Sequence, residues 1–365
     1  MRLDEPIIFA PNRVWRCYTG GALLDRFVGN RPEADGHKPE DWLASTVRAL
    51  NGEHSQGPDE GLARALQADA APGPLLAELA ADHAEALFGP KHVARFGTSM
   101  GLLCKYLDSA VRLPVQCHPD VAMAKRLYHS PFGKSESWHV LDTRSIGGQK
   151  PYLLMGFKPG VTAEGFAKAV ETQDVAAMES MLHKIHARPG ETYMVPGRLA
   201  HAIGPGVFMI EVQEPSDWVV QPERFCADTR LSDDNMWGPL APEQGLGVFD
   251  YTGLTEDELL ARVKPKETAV LCESGGAAYE VIGKKHTEAF ALWRAEATGR
   301  LRIALPRAFG LVVVTGGSGT IRWAGGSRQV RRGQYFLQPC GVDAIEYAAD
   351  AGPPMTLAIG LPPEP

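Results

Sequence analysis

The stretch Leu113-Pro114-Val115-Gln116-Cys117-His118-Pro119-Asp120 decides how the rest of the chain is read. Residues 113–118 alternate with the two-residue period of a strand, so Gln116 and His118 share one face. Pro119 has no amide hydrogen for a ladder and ends the strand. Beyond a loop with Pro131-Phe132-Gly133, the run Glu136-Ser137-Trp138-His139-Val140-Leu141 alternates again and suits a returning strand. His139 has the opposite parity from Glu136 and is expected to point away. A third piece, Val195-Pro196-Gly197-Arg198-Leu199-Ala200-His201-Ala202-Ile203-Gly204, places His201 after a Pro-Gly turn, at a strand start. Gln116, His118, Glu136 and His201 together offer an amide oxygen, two imidazoles and a carboxylate. That is the inventory of a divalent metal site with a position left open. Taken singly, each is as readily a hydrogen-bonded or solvated polar residue, and the residues alone leave both readings open. The other histidines (37, 54, 83, 92, 129, 183, 186, 286) fall mostly in helical or polar stretches and read as surface.

Working outward, the first fifty residues carry turn signals such as Thr19-Gly20-Gly21 and Glu33-Ala34-Asp35-Gly36, which predict short strands and loops. Leu62, Leu66, Leu75, Leu76, Leu79 and Leu87 recur at helical spacing and predict helix within about 59–90, around the break Pro72-Gly73-Pro74. A second helical block spans about 162–186, with Phe166, Val170, Val175, Met178 and Leu182 as its apolar stripe and Thr162 at its start. A short helix near 255–263 leads to Lys264-Pro265-Lys266, read as a linker, and residues 268–361 read as short strands only. Gly190-Glu191-Thr192-Tyr193-Met194-Val195-Pro196 is echoed by Gly333-Gln334-Tyr335-Phe336-Leu337-Gln338-Pro339. Five residues past each proline stand His201 and Ala344. The echo predicts two related barrel units, one with the metal ligand and one without. The division expected is 1–265 for the metal-binding unit and 266–365 for the second.

The chain has 365 residues and a formal net charge of -7. An acidic chain without a basic run is a poor tracker of phosphate backbones, which argues against nucleic acid. An anionic substrate must then be met by local cations inside a pocket. The first residues lack the charged-then-apolar pattern of a signal peptide, and no apolar run is long enough to cross a bilayer. The six scattered cysteines (17, 104, 117, 226, 272, 340) show no paired spacing and read as free thiols in a reducing cytoplasm.

Residues 113–120, 133–138 and 195–204, with Glu211-Val212-Gln213-Glu214-Pro215-Ser216-Asp217, resemble the class I mannose-6-phosphate isomerases, zinc enzymes of the cupin superfamily. Trp15 to Phe27, Pro39-Glu40-Asp41-Trp42-Leu43-Ala44-Ser45 and Leu102-Leu103-Cys104-Lys105-Tyr106-Leu107-Asp108 are similar to further motifs of that family. Gly316 to Ile321 and Gly333 to Pro339 look like its second barrel. The resemblance implies a mainly β fold of two cupin (jelly-roll) barrels with helical insertions in the N-terminal half. It also implies that one Zn2+ per chain is bound by Gln116, His118, Glu136 and His201, with Lys134 at the cavity mouth toward substrate.

The activity implied is the interconversion of mannose 6-phosphate and fructose 6-phosphate, or of a related sugar, through a cis-enediol. Glu211, ten residues past His201, is the candidate base, and Lys134 the candidate proton shuttle or oxyanion partner. Asp217, Gln221 and Lys134 are candidate substrate contacts. Where family members place an arginine, this chain has Gln221, and Arg224 is the candidate to swing into the gap. Lys134, Arg126 and Arg224 are the cations available to a phosphate. Glutamine carries no charge, so a differently specific or non-catalytic metal-stabilised sugar-binding protein is the alternative. Two histidines and a carboxylate also suit an Fe(II) oxygenase, against which the amide ligand argues. Oligomeric state is not legible in the sequence.

Overall fold

The computed structural model describes residues 2–365 and is mainly β, with every ladder between its strands antiparallel. One six-stranded sheet runs in the order Thr192–Val195, Glu136–Thr143, Val207–Gln213, Leu103–Asp108, Glu40–Leu43, Arg13–Val14. Its strands Leu103–Asp108 and Val207–Gln213 are buried along their whole length, on both faces. The register makes this concrete. Trp138, Glu211, Lys105 and Trp42 lie opposite one another across four strands, and Glu136 stands beside Gln213 two residues along. Side chains of that parity share one face. Leu107, Trp138, Val140, Met209, Tyr193 and Val195 on it build one core, with the sheet His201–Ile203, Tyr152–Phe157, Leu182–His186 on the far side. Cys104, Tyr106, Phe208, Ile210 and Val212, of the other parity, enter a second core.

That second core is closed by a seven-stranded sheet, from which Leu311, Val313, Leu337 and Ala358 enter, and by the helix Leu76–Phe88. The seven-stranded sheet packs its opposite face on the four-stranded sheet Arg300–Ala304, Ala344–Ala349, Ser318–Trp323, Gly326–Arg331, with Val312, Val314, Phe336, Ile345 and Ile359 between them. Ile7–Ile8 pairs with Tyr335–Gln338, so the N-terminal residues complete a sheet otherwise built by the C-terminal part of the chain. Both echo segments form strands, Thr192–Val195 and Tyr335–Gln338, each entered through a glycine with positive φ (Gly190 85°, Gly333 88°). His201 and Ala344 each begin a strand.

Several expectations need correction. Residues 59–75 are not helical: Arg64–Leu66 and Pro72–Leu75 form a two-stranded ribbon, and the helix starts only at Leu76. Leucines at helical spacing do not suffice where Pro72-Gly73-Pro74 interrupts the chain. In the second block Ala163–Thr172 and Val175–Ser180 are helices, with the Thr162 side chain accepting from the Gly165 amide, but Leu182–His186 is a strand. The first fifty residues also hold a helix, Ala22–Val28. Residues 113–118 form single bridges, Gln116 to His201 and Cys117 to Val220, rather than a continuous ladder. Pro114 and Pro119 remove two of the donors such a ladder would need.

Candidate metal centre

The bridge between Gln116 and His201 sets the site. Each backbone amide donates to the other's carbonyl (2.8 and 2.9 Å), which brings the segment carrying His118 beside the strand that opens with His201. Glu136 comes from the facing six-stranded sheet. The three ligand-type side chains are all buried, and their donor atoms lie within 4.8 Å of one another. His118 Nε2 is 3.1 Å from Glu136 Oε1 and 3.2 Å from His201 Nε2.

The proton positions follow from the partners. His118 Nδ1 is 2.9 Å from the Trp218 carbonyl, and His201 Nδ1 is 2.8 Å from the Leu199 carbonyl. A carbonyl only accepts, so both rings carry hydrogen on Nδ1 and turn a bare Nε2 lone pair inward. Two lone pairs facing each other at 3.2 Å beside a carboxylate call for a cation, and the Lys134 ammonium stands against His118 Nε2 (3.2 Å) and Glu136 Oε1 (3.0 Å) on one side of the cluster. That donor set, with each ring anchored through its second nitrogen, fits a divalent metal. Burial, and then the Lys134 charge, lower the proton affinity of His118; burial, and then His118, lower that of His201 to about 3. Burial works to raise the Glu136 carboxyl, but the Lys134 charge leads the groups that outweigh it, and the carboxyl lies well below the usual carboxylate range. Trp138 Nε1 donates to Glu136 Oε2 (3.0 Å) and fixes the carboxylate plane. His139 faces away, with its Nδ1 2.9 Å from Thr192 Oγ1.

Of the three, Glu136 lines a cavity of about 210 Å³, and Gln116 lines it too. Gln116 is thus beside the cluster. Lys134 is buried at the floor rather than exposed at the mouth: its ammonium donates to Glu136 Oε1 (3.0 Å) and His118 Nε2 (3.2 Å). Glu211 also lines the cavity, where it pairs with Lys105 (2.9 Å). Burial and the Glu136 charge raise its proton affinity against Lys105. Gln221 and Asp217 line the cavity too. The Gln221 amide donates to the Asn235 carbonyl (2.8 Å), and Asp217 is held by Arg16 (3.2 Å). Arg224 does not reach in: it points to Asp233 (2.6 Å), away from the cavity, and so does not fill the place left by Gln221. Arg126 lies on the helix Val121–Leu127 and does not line the cavity either.

Sequence reasoning assigned no role to Arg16, Glu40 and Lys105. Glu40 is held at about 2: burial opposes its charge, and Arg16 (3.1 Å) and Lys105 (3.7 Å) overcome the penalty. Tyr18 and Trp42 donate to the same carboxylate, each at 2.6 Å. A lysine in the middle of Leu103-Cys104-Lys105-Tyr106-Leu107 was the available signal, since a charge in an apolar strand must find a buried partner. Arg230 was missed as well. It lines the cavity, is exposed, and makes no ion pair among the described residues. His92 and His183, expected at the surface, are buried, with Nε2 on the carbonyls of Ser99 and Leu254.

No family model matches the chain. It is 27% identical to a mannose-6-phosphate isomerase of Streptococcus mutans serotype c over 279 residues, 75% of this chain and 78% of the relative. A mannose-6-phosphate isomerase of Bacillus subtilis (strain 168) is 25% identical over 263 residues, 72% of this chain and 75% of the relative. Among solved structures, the mannose 6-phosphate isomerase from Bacillus subtilis superposes with a TM-score of 0.73 at 20% identity, covering 97% of this chain and 99% of that one. A variant of phosphomannose isomerase from Salmonella typhimurium gives 0.71 at 13% identity, covering 98% and 100%. The chain is thus similar in fold along nearly its whole length, and in sequence along about three quarters of it, to mannose-6-phosphate isomerases.

Proposed function

We propose that this protein is a metal-dependent aldose–ketose isomerase that interconverts mannose 6-phosphate and fructose 6-phosphate. One observation carries the reading: two buried imidazoles converge on the carboxylate of Glu136, which lines a cavity that also holds cations. His118, Glu136 and His201, with the side-chain oxygen of Gln116, would hold one Zn2+. A metal bound there would supply Lewis-acid stabilisation of negative charge on the sugar's carbonyl and adjacent hydroxyl.

The chain's own groups do the rest. Glu211 is the candidate to take the proton from C2 and return it to C1 through a cis-enediol, because its environment favours holding a proton. Lys105 stays beside it as the counter-charge. Lys134 is placed to donate to a sugar oxygen as charge develops. Arg230, rather than Arg224, is the candidate partner for a phosphate at the mouth. Asp217 and Gln221 would act as a positioned wall, since their polar groups are already engaged.

The fold is read as two cupin barrels, residues 1–265 and 266–365. The reading is supported by two sheet pairs, each enclosing its own core, and by matched glycine-to-strand entries at Gly190 and Gly333. The test combines metal analysis of protein purified without added metal with a panel of aldoses, ketoses and their 6-phosphates in deuterated water. The expected result is bound zinc and exchange of the C2 hydrogen with the mannose and fructose 6-phosphate pair. Bound iron, or no exchange with any sugar, would overturn the reading.

A further inference from the structure

The loop that carries Lys134 is fixed through its backbone. The two carboxylate oxygens of the buried Glu214 accept from the amides of Gly133 and Ser135, each at 2.9 Å. The Lys134 amide donates to the Pro119 carbonyl (2.9 Å), and Ser216 Oγ donates to the Gly133 carbonyl (2.6 Å). A Cβ on Gly133 would lie 2.8 Å from the Pro119 carbonyl oxygen, so the loop sits hard against the segment that follows His118. What remains free to move is the Lys134 side chain, through its own torsions. Its ammonium is 3.0 Å from Glu136 Oε1 and 3.2 Å from His118 Nε2, and Lys134 also lines the cavity. The His118 ring keeps its hydrogen on Nδ1 for the Trp218 carbonyl, so Nε2 has a single lone pair. That lone pair serves one partner at a time, the ammonium or a metal ion.

We propose that Lys134 is a built-in competitor for the metal: its ammonium holds His118 Nε2 and Glu136 Oε1 in metal-free protein and swings into the cavity when a metal ion takes them. The inference rests on the metal reading of the cluster. Charge runs the same way as the lone-pair argument. Glu136 is 1% exposed and, the two imidazoles aside, Lys134 is its ion-pair partner among the described residues. A buried carboxylate left without a counter-charge is costly, so the lysine stabilises the cluster when no ion is bound. A divalent ion supplies that charge in excess and repels an ammonium a few ångströms away. The backbone bonds keep the loop in place, so the exchange is a side-chain rotation and not a loop opening. The cavity that Lys134 lines receives the released ammonium, where it meets the oxygens of a bound sugar. Metal loading and the placing of the substrate-facing cation are then one event. The fold does not depend on the ion, because the lysine substitutes for its charge.

The test uses full-length protein stripped of metal with a chelator and titrated with Zn2+ against a chromophoric chelator. Lys134→Met should bind zinc about 10–100-fold more tightly than the parent, the scale of one charge-assisted hydrogen bond that the metal no longer has to break. The zinc-free variant should melt about 5 °C or more below the zinc-free parent, because Glu136 loses its counter-charge, and zinc should narrow that gap. A second measurement follows the side chain in the unmutated protein and needs no variant to fold. Reductive dimethylation with formaldehyde, mapped by mass spectrometry, should label Lys134 about tenfold faster or more with zinc bound, as a hydrogen-bonded amine comes free. The exposed Lys168 serves as the internal reference. Equal or weaker zinc affinity in Lys134→Met would overturn the competition. Tighter binding with Lys134 labelling unaffected by zinc would overturn the displacement, leaving only a through-space effect of charge. If parent and variant both fail to bind zinc, the metal reading itself falls and this inference with it; zinc binding by the parent tells the two failures apart.

Discussion

Arg224 and Arg230 are six residues apart and have opposite surroundings. The first spends its charge on Asp233, and the second faces the cavity. Arg224→Ala should leave kcat/KM within about twofold, as expected for an exposed ion pair. Arg230→Ala should raise KM for a phosphorylated substrate by about tenfold or more, the scale of one lost charge-assisted hydrogen bond, and should change turnover of an unphosphorylated sugar little. Steady-state kinetics on both sugars decides. Asp41 offers a separate check at the same scale. Its side chain accepts from the Asn12 amide, and burial pushes its carboxyl up to about 6 against that bond and the Arg13 charge. The folded state then keeps a proton that the unfolded chain loses near its ordinary 3.8. Between those values the folded state binds more protons, so this contribution is complete below the window and is lost as pH rises through it. Asp41→Asn keeps the acceptor and removes the titration. Its stability relative to the parent protein should therefore rise from pH 4 to pH 7 by about 2–3 kcal/mol, read by urea unfolding at each pH.

At the scale of the element, the turns distinguish conformational need from crowding. Gly190 and Gly206 both have positive φ (85° and 80°). A Cβ on Gly190 would meet nothing within 4 Å, whereas one on Gly206 would lie 1.9 Å from the Arg144 carbonyl oxygen. Gly190→Ala should cost about 1 kcal/mol, the strain of a left-handed alanine. Gly206→Ala should cost roughly 1–3 kcal/mol more, because the Arg144–Gly206 connection must open. Chemical denaturation of the pair measures the difference. Elements also mark where the sequence was clear. The helix start at Thr162 is legible because its hydroxyl caps the Gly165 amide, a local interaction. The ribbon at 64–75 was not, because its pairing is decided by a neighbour along the chain, and its leucines mimic a helical stripe.

For the whole molecule, the core between the six- and seven-stranded sheets matters most. Phe208 sits in it with Phe27 (ring centroids 5.2 Å) and Tyr106 (6.0 Å), and Leu311 and Val313 enter from the C-terminal sheet. Two sheets that share a core, one of them completed by the N-terminal strand Ile7–Ile8, should unfold together. Phe208→Ala should lower stability by about 3–5 kcal/mol and shift a single calorimetric transition. Two separated transitions would show that the shared core does not couple the two sheets.

The sequence by itself determined the strand-dominated class and the parity that sends Glu136 inward and His139 outward, both of which depend on local periodicity. The residues alone left His118, Glu136 and His201 open as ligands or ordinary polar groups, and the fold is what brings the three together. Only the tertiary structure decided which cations serve the cavity. Arg16, Lys105 and Arg230 come from three distant segments, and an arginine reads alike in sequence whether it points at Asp233 or at a cavity.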